Sequence, residues 1–155
     1  AVAVVVDSLD AARARAVLTR DLLALAALVL AGCSTQIGVD NSQNREASYS
    51  NVTGVLTTRY TSDTEAVFNA VKRTIDAMPG TLRTGETDDR GANKELNSVV
   101  VYARTIGDLE IKITIEKAED EITKAVFTQV RVKYGAFGNL PESQQLVSKI
   151  TSNLR

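Results

Sequence analysis

With 155 residues, 18 Lys and Arg against 19 Asp and Glu, and a net charge of −1, this chain sets up no long-range field of the kind that recruits nucleic acid, and it has no basic run that would hold it to an anionic bilayer by charge alone. It contains no His and a single Cys, which excludes His-dependent serine and cysteine triads, His-containing zinc sites and an intramolecular disulfide. Its length fits one domain of about 100 residues preceded by an extension.

Ala1 to Asp21 mixes Asp7, Asp10 and Asp21 with Arg13, Arg15 and Arg20, so it lacks the positive excess of a signal n-region. Only Arg20 sits close to the apolar run that follows, a pattern that fits a translation start at Val17 with residues 1–16 an over-extended reading frame. From Leu22 to Gly32 the chain is apolar for about eleven residues, roughly 17 Å of helix against a hydrocarbon core of about 30 Å. That is too short to span a bilayer and suits the h-region of a secretory signal. Leu30, Ala31 and Gly32 then supply the recognition residues a signal peptidase needs before Cys33. Residues 1–32 are therefore expected to be a signal peptide. The plain alternative is a buried core helix with an inert Cys, but a lone thiol in an exported protein is a liability unless it is consumed. The segment resembles the lipobox of bacterial lipoproteins. The resemblance implies a diacylglycerol on the Cys33 thiol and a third acyl chain on its freed amine, and several chains anchor far better than one.

Ser34 to Ser50 (STQIGVDNSQNREASYS) is polar and has no helical period, so residues 33–50 read as the lipidated Cys and a tether with a root-mean-square reach of roughly 20 to 25 Å. Residues 51–155 are expected to form the single domain. Val52 to Tyr60, rich in β-branched residues, reads as a strand. Ser62-Asp63-Thr64-Glu65 reads as a capping box, and Val67, Ala70, Val71, Thr74, Ile75 and Met78 form one stripe of a helix that Pro79-Gly80 ends. Thr81 to Thr87 is a short strand before a polar loop from Asp88 to Asn97. Val99 to Thr105 and Leu109 to Glu116 read as a hairpin closed by a two-residue Gly107-Asp108 turn. That turn sets Tyr102 opposite Ile113 and Val100 opposite Ile115, with both on the core face. After a turn at Glu119-Asp120, Ile122, Val126, Val130, Val132 and Tyr134 continue the inward set in a long last strand. Asn139-Leu140-Pro141-Glu142 opens a second helix carrying Leu146, Val147, Ile150 and Leu154. The order β-α-β-β-β-β-α predicts an α+β, two-layer domain: an antiparallel sheet of about five strands with both helices on one face.

These elements, the lipobox and the segment Val130 to Asn139, most specifically Gly135-Ala136-Phe137-Gly138 after a strand of alternating Val and basic residues, resemble small bacterial lipoproteins grouped as domain-of-unknown-function family thirty-five sixty-eight. The resemblance covers Val52 to Leu154. It implies an envelope location and carries no enzymatic residues across.

No constellation points to catalysis, so the expected class is a non-enzymatic structural or interaction protein, with no cofactor or metal site and no group beyond covalent lipid on Cys33. The acidic clusters Asp88-Asp89 and Glu119-Asp120-Glu121 read as solvated turns, too sparse for calcium. The Gly135 to Asn139 loop lacks a P-loop pattern, and Phe137 is expected to plug the core. The hairpin register places Phe127, Val99, Val101, Ala103 and Ala125 on the opposite sheet face, and Phe127, Val99, Val101 and Ala125 are the candidate partner-binding patch. A small carrier of hydrophobic ligands, with a pocket between sheet and helices, is the alternative. The expected partners are the membrane, through the anchor, and an envelope protein, with no nucleic acid. Ser34 is not the Asp that, by the same resemblance, retains lipoproteins in the inner membrane, so the periplasmic side of the outer membrane is expected, an inner or cytoplasmic membrane being the alternative.

Overall fold

The computed structural model describes residues 34–37 and 47–154; the expected signal segment, Cys33 and most of the expected tether lie outside these. In chain order the described elements are β1 (Ser34–Ile37), β2 (Ala47–Ser50), β3 (Val55–Tyr60), α1 (Thr64–Asp76), β4 (Thr81–Arg90), β5 (Leu96–Thr105), β6 (Glu110–Glu119), β7 (Val126–Tyr134) and α2 (Leu140–Ser152). They form a seven-stranded sheet in the order β1-β2-β3-β7-β6-β5-β4, with antiparallel neighbours throughout. The α+β class, the meander and the five strands read from sequence are all present. α1 carries the chain from β3 to the far edge at β4, and β4 to β7 then return to pair with β3.

Two of these strands, β1 and β2, fall within the expected tether. The compact unit runs Ser34–Arg155, and β2 buries Ala47 and Tyr49 against the sheet while Ser48 and Ser50 point away. Four alternating residues, half of them Ser, are too few to register as a period.

α1 forms because Val67, Phe68, Ala70, Val71, Thr74 and Ile75 fall on one buried stripe. Its cap is Asp63, not Ser62: the Asp63 carboxylate accepts from the Glu65 amide at 3.2 Å. Ser62 is engaged elsewhere, its carbonyl accepting from the Thr128 hydroxyl at 2.7 Å. α2 starts as expected, with the Asn139 side chain accepting from the Glu142 amide at 3.2 Å. Leu146, Val147 and Ile150 are buried beneath it.

The β5–β6 hairpin departs from the expected register. Val101 faces Ile113, Val99 faces Ile115 and Ala103 faces Ile111. The connection is one residue longer than a two-residue turn. The Asp108 amide donates to the Thr105 carbonyl, the Thr105 amide to the Leu109 carbonyl, and Asp108, not Gly107, takes the positive φ of 63°. This is a three-residue loop with its last residue left-handed. An offset of one residue exchanges the two faces, so Val99, Val101 and Ala103 are fully buried and Val100 and Tyr102 turn outward. At the next turn the Asp120 carboxylate accepts from the amides of Ile122 and Thr123 at 3.0 and 2.9 Å. Those two bonds, the Thr123 one first, hold its carboxyl below the usual range. β7 therefore begins only at Val126, which stays exposed, as do Ile122 and Leu109.

The core lies between one sheet face and the two helices: Leu56 and Tyr60 from β3, Val130 and Val132 from β7, Ile111, Ile113 and Ile115 from β6, and Val99 and Val101 from β5. β4 extends to Arg90, three residues past its expected end at Thr87, and its helix-facing side is ionic. Arg83 bridges Asp76 at 3.2 Å and Glu86 at 2.9 Å, and Arg90 bridges Glu65 at 3.2 Å and Asp88 at 2.8 Å. These pairs join β4 to both ends of α1, and charge on an edge strand discourages pairing with another chain.

Candidate functional site

The sheet face away from the helices is where sequence reasoning placed a partner patch. β7 alternates, so Thr128, Val130, Val132 and Tyr134 point into the core and Phe127, Gln129, Arg131 and Lys133 point outward. The expected patch does not assemble. Val99 and Val101 are on the core face because of the hairpin register, and Ala125 lies in the turn before β7. Phe127 alone remains on the outer face, half-buried, opposite Ala118 and beneath the Arg59 guanidinium at 4.8 Å from the ring centroid. A cation over a ring face is an attractive contact, so Phe127 is already partnered within the domain.

What occupies the outer face is polar. Arg131 bridges Glu116 at 2.6 Å, and Gln129 donates to the same carboxylate at 3.1 Å. Lys112 and Lys133 are direct cross-strand neighbours, and the Lys112 ammonium lies 5.8 Å from the Tyr102 ring. With Arg104, Asp108, Glu110 and Ala136 they line an open groove of about 460 Å³. Two further open grooves are present: one of about 370 Å³ is lined by Met78 to Thr81, Thr105 to Gly107 of the β5–β6 connection, Tyr134 and α2, and one of about 340 Å³ by the C-terminal parts of α1 and α2 and the residues just after them. Beneath the helices the inward side chains of β3, β5, β6 and β7 are packed to near-zero exposure.

The remaining candidates resolve as follows. Cys33, with Leu30, Ala31 and Gly32, lies outside the described residues. Asp88 and Asp89 are on β4, not in a turn, and Asp88 is held by Arg90. Glu119 ends β6 and pairs with Lys124 at 3.4 Å. Among the described residues no three of His, Cys, Asp and Glu converge as a metal-binding group. Phe137 does not plug the core; it projects into solvent from a loop whose Gly135 and Gly138 both have positive φ. Gly138 serves another contact, the close passage of this loop against Gly54.

Sequence reasoning missed the apolar residues at loop tips. Val52, Ile106, Leu109 and Phe137 are all exposed. Each lies beside turn-forming residues in the sequence: Val52 after Asn51 and before Thr53-Gly54, Ile106 and Leu109 around Gly107-Asp108, Phe137 between Gly135-Ala136 and Gly138. A large apolar residue inside a turn signal has no inward side to occupy, and that was the available clue.

The sequence model of the family described as "Protein of unknown function (DUF3568)" matches residues 16–153. No curated protein matches the chain.

Proposed function

The chain belongs to the DUF3568 family of proteins of unknown function, and on that premise we propose that it is a lipid-anchored protein of the bacterial cell envelope that acts by interaction and not by catalysis. One observation carries this reading. The family match, residues 16–153, spans the apolar run Leu22 to Leu30 and the Leu30-Ala31-Gly32-Cys33 motif together with the folded domain, so the segment carrying the candidate anchor lies within the matched region. The match also begins beside Val17, the expected translation start. The absence of His from the chain and the engagement of Asp76, Glu86, Asp88, Glu116 and Glu119 in surface ion pairs support an interaction role. Residue 34 is Ser, which favours the periplasmic face of the outer membrane.

The anchor is tested directly. Radiolabelled palmitate enters the wild-type protein in the producing bacterium and does not enter Cys33→Ala; equal labelling of the two refutes the reading.

A further inference from the structure

Four segments with exposed apolar side chains lie at one end of the sheet. The register fixes this: Ser50 pairs with Val55, Val55 with Lys133, Lys133 with Lys112, and Arg104 with both Glu110 and Leu82. That end therefore carries the Asn51–Gly54 turn, the Ile106–Leu109 loop, the start of β4 and the loop after β7. Phe137 is 93% exposed, Ile106 89% and Val52 81%, with Leu82 and Leu109 also in solvent. The loops are joined. A Cβ on Gly54 would overlap the Phe137 carbonyl, Leu109 Cδ2 lies beside Gly135, and the Ile106 amide donates to the Gly80 carbonyl at 2.8 Å. Single exposed apolar residues are ordinary, but several on adjoining loop tips mark a surface that meets something apolar.

β1 brings Ser34 to the same end. Ser34 pairs with Ser50, so the residue after Cys33 sits in the row that leads into the Asn51–Gly54 turn. One peptide unit, about 3.8 Å between Cα atoms, separates Cys33 from it. A free coil from Ser34 to Ser50 would let the domain float roughly 20 Å from the lipid; the strand removes that slack.

We propose that this end of the sheet is a membrane-docking surface, with Phe137, Ile106, Val52 and Leu109 entering the interfacial layer of the bilayer that holds the acylated Cys33. The inference rests on the anchor reading above. Apolar side chains at an interface reach about 5–10 Å into the boundary between headgroups and acyl chains, the depth available to loop tips. Lys112 and Lys133, one row behind the tips, come to headgroup level. Of the carboxylates at this end, Asp108 is held by Arg104 at 3.0 Å, while Glu110 and Glu142 flank the loops. The opposite end, with Asp88, Asp89, Glu119, Asp120 and Glu121, faces away from the membrane.

The test uses the full, processed lipoprotein in vesicles of phosphatidylethanolamine and phosphatidylglycerol. In three variants, Phe137→Cys, Ile106→Cys and Ile122→Cys, the new thiol carries an environment-sensitive fluorophore; all three positions are solvent-exposed, so the fold tolerates them. Brominated acyl chains are expected to quench the label at 137 and at 106 and to leave 122, at the far end, as bright as in buffer. Equal brightness at all three positions overturns the proposal. So does a blue shift at 137 without quenching, which identifies a protein or a second copy as the occupant. Mass spectrometry of the same samples keeps the two readings apart. A free Cys33 thiol refutes the anchor, whereas acylated Cys33 with unquenched labels refutes only the docking.

Discussion

Gly54 has a φ of 66°, in the region L side chains rarely adopt, and a Cβ there would collide with the backbone of Phe137 and Gly138. Gly54→Ala is expected to cost about 2–4 kcal/mol, roughly 1 from the left-handed backbone and the rest from displacing the facing loop. Gly85 is the control. It has open space around it and no positive φ, so Gly85→Ala is expected to be neutral or to stabilise by up to about 1 kcal/mol. Urea unfolding midpoints check the pair, and equal losses would remove the close approach as the cause. The string Gly135-Ala136-Phe137-Gly138 stood out in the sequence, but its purpose did not. The surface it packs against is Gly54, far away in the chain, and no local pattern reports such a contact. Asp63 and Ser62 show a related limit, since either residue type can cap a helix and the Asp63 carboxylate is the one that accepts from the Glu65 amide.

At the scale of elements, the helices were legible because their apolar stripes have a period that survives small errors in end position. Sheet faces have no such tolerance. The β5–β6 hairpin was found at the right place, yet assigning the left-handed position to Gly107 instead of Asp108 exchanged its two faces, and with them the expected patch at Val99 and Val101. The observed register makes a sharp distinction between neighbours. Val101→Thr buries a hydroxyl among Ile and Val side chains and is expected to cost about 1–3 kcal/mol. Val100→Thr lies on the outer face and is expected to change stability by less than about 0.5 kcal/mol. Chemical denaturation of the two variants measures this, and the reverse ranking would restore the two-residue turn. β1 and β2 escaped detection for a different reason: each is only four residues long and rich in Ser, Gln or Thr, so they form strands because a sheet edge is there to receive them, not because their sequence demands it.

For the whole molecule, β3 is the hinge of the architecture, pairing with β2 on one side and β7 on the other and feeding α1. Its last residue, Tyr60, is 1% exposed, and its hydroxyl lies 3.0 Å from Thr151 Oγ1 and 3.5 Å from the Val147 carbonyl. It thereby joins the sheet to α2, the last element to follow in the chain. Burial pushes the Tyr60 phenol up to about 12, partly offset by the Thr151 hydrogen bond, while an unfolded tyrosine titrates near 10. The native state therefore keeps this proton where the unfolded chain has begun to lose it. Stability from this group is intact below about pH 10 and falls as pH rises through 12, by up to about 2–3 kcal/mol. Tyr134, raised by its own burial and by Glu142, adds to the slope in any variant that retains it. Tyr60→Phe is expected to be less stable than wild type at neutral pH, through the lost hydrogen bond, and to show a smaller alkaline loss. Urea unfolding of both proteins at a series of alkaline pH values measures the difference. Parallel curves for the two would mean that the phenol of Tyr60 is not what couples proton binding to the packing of α2 on the sheet.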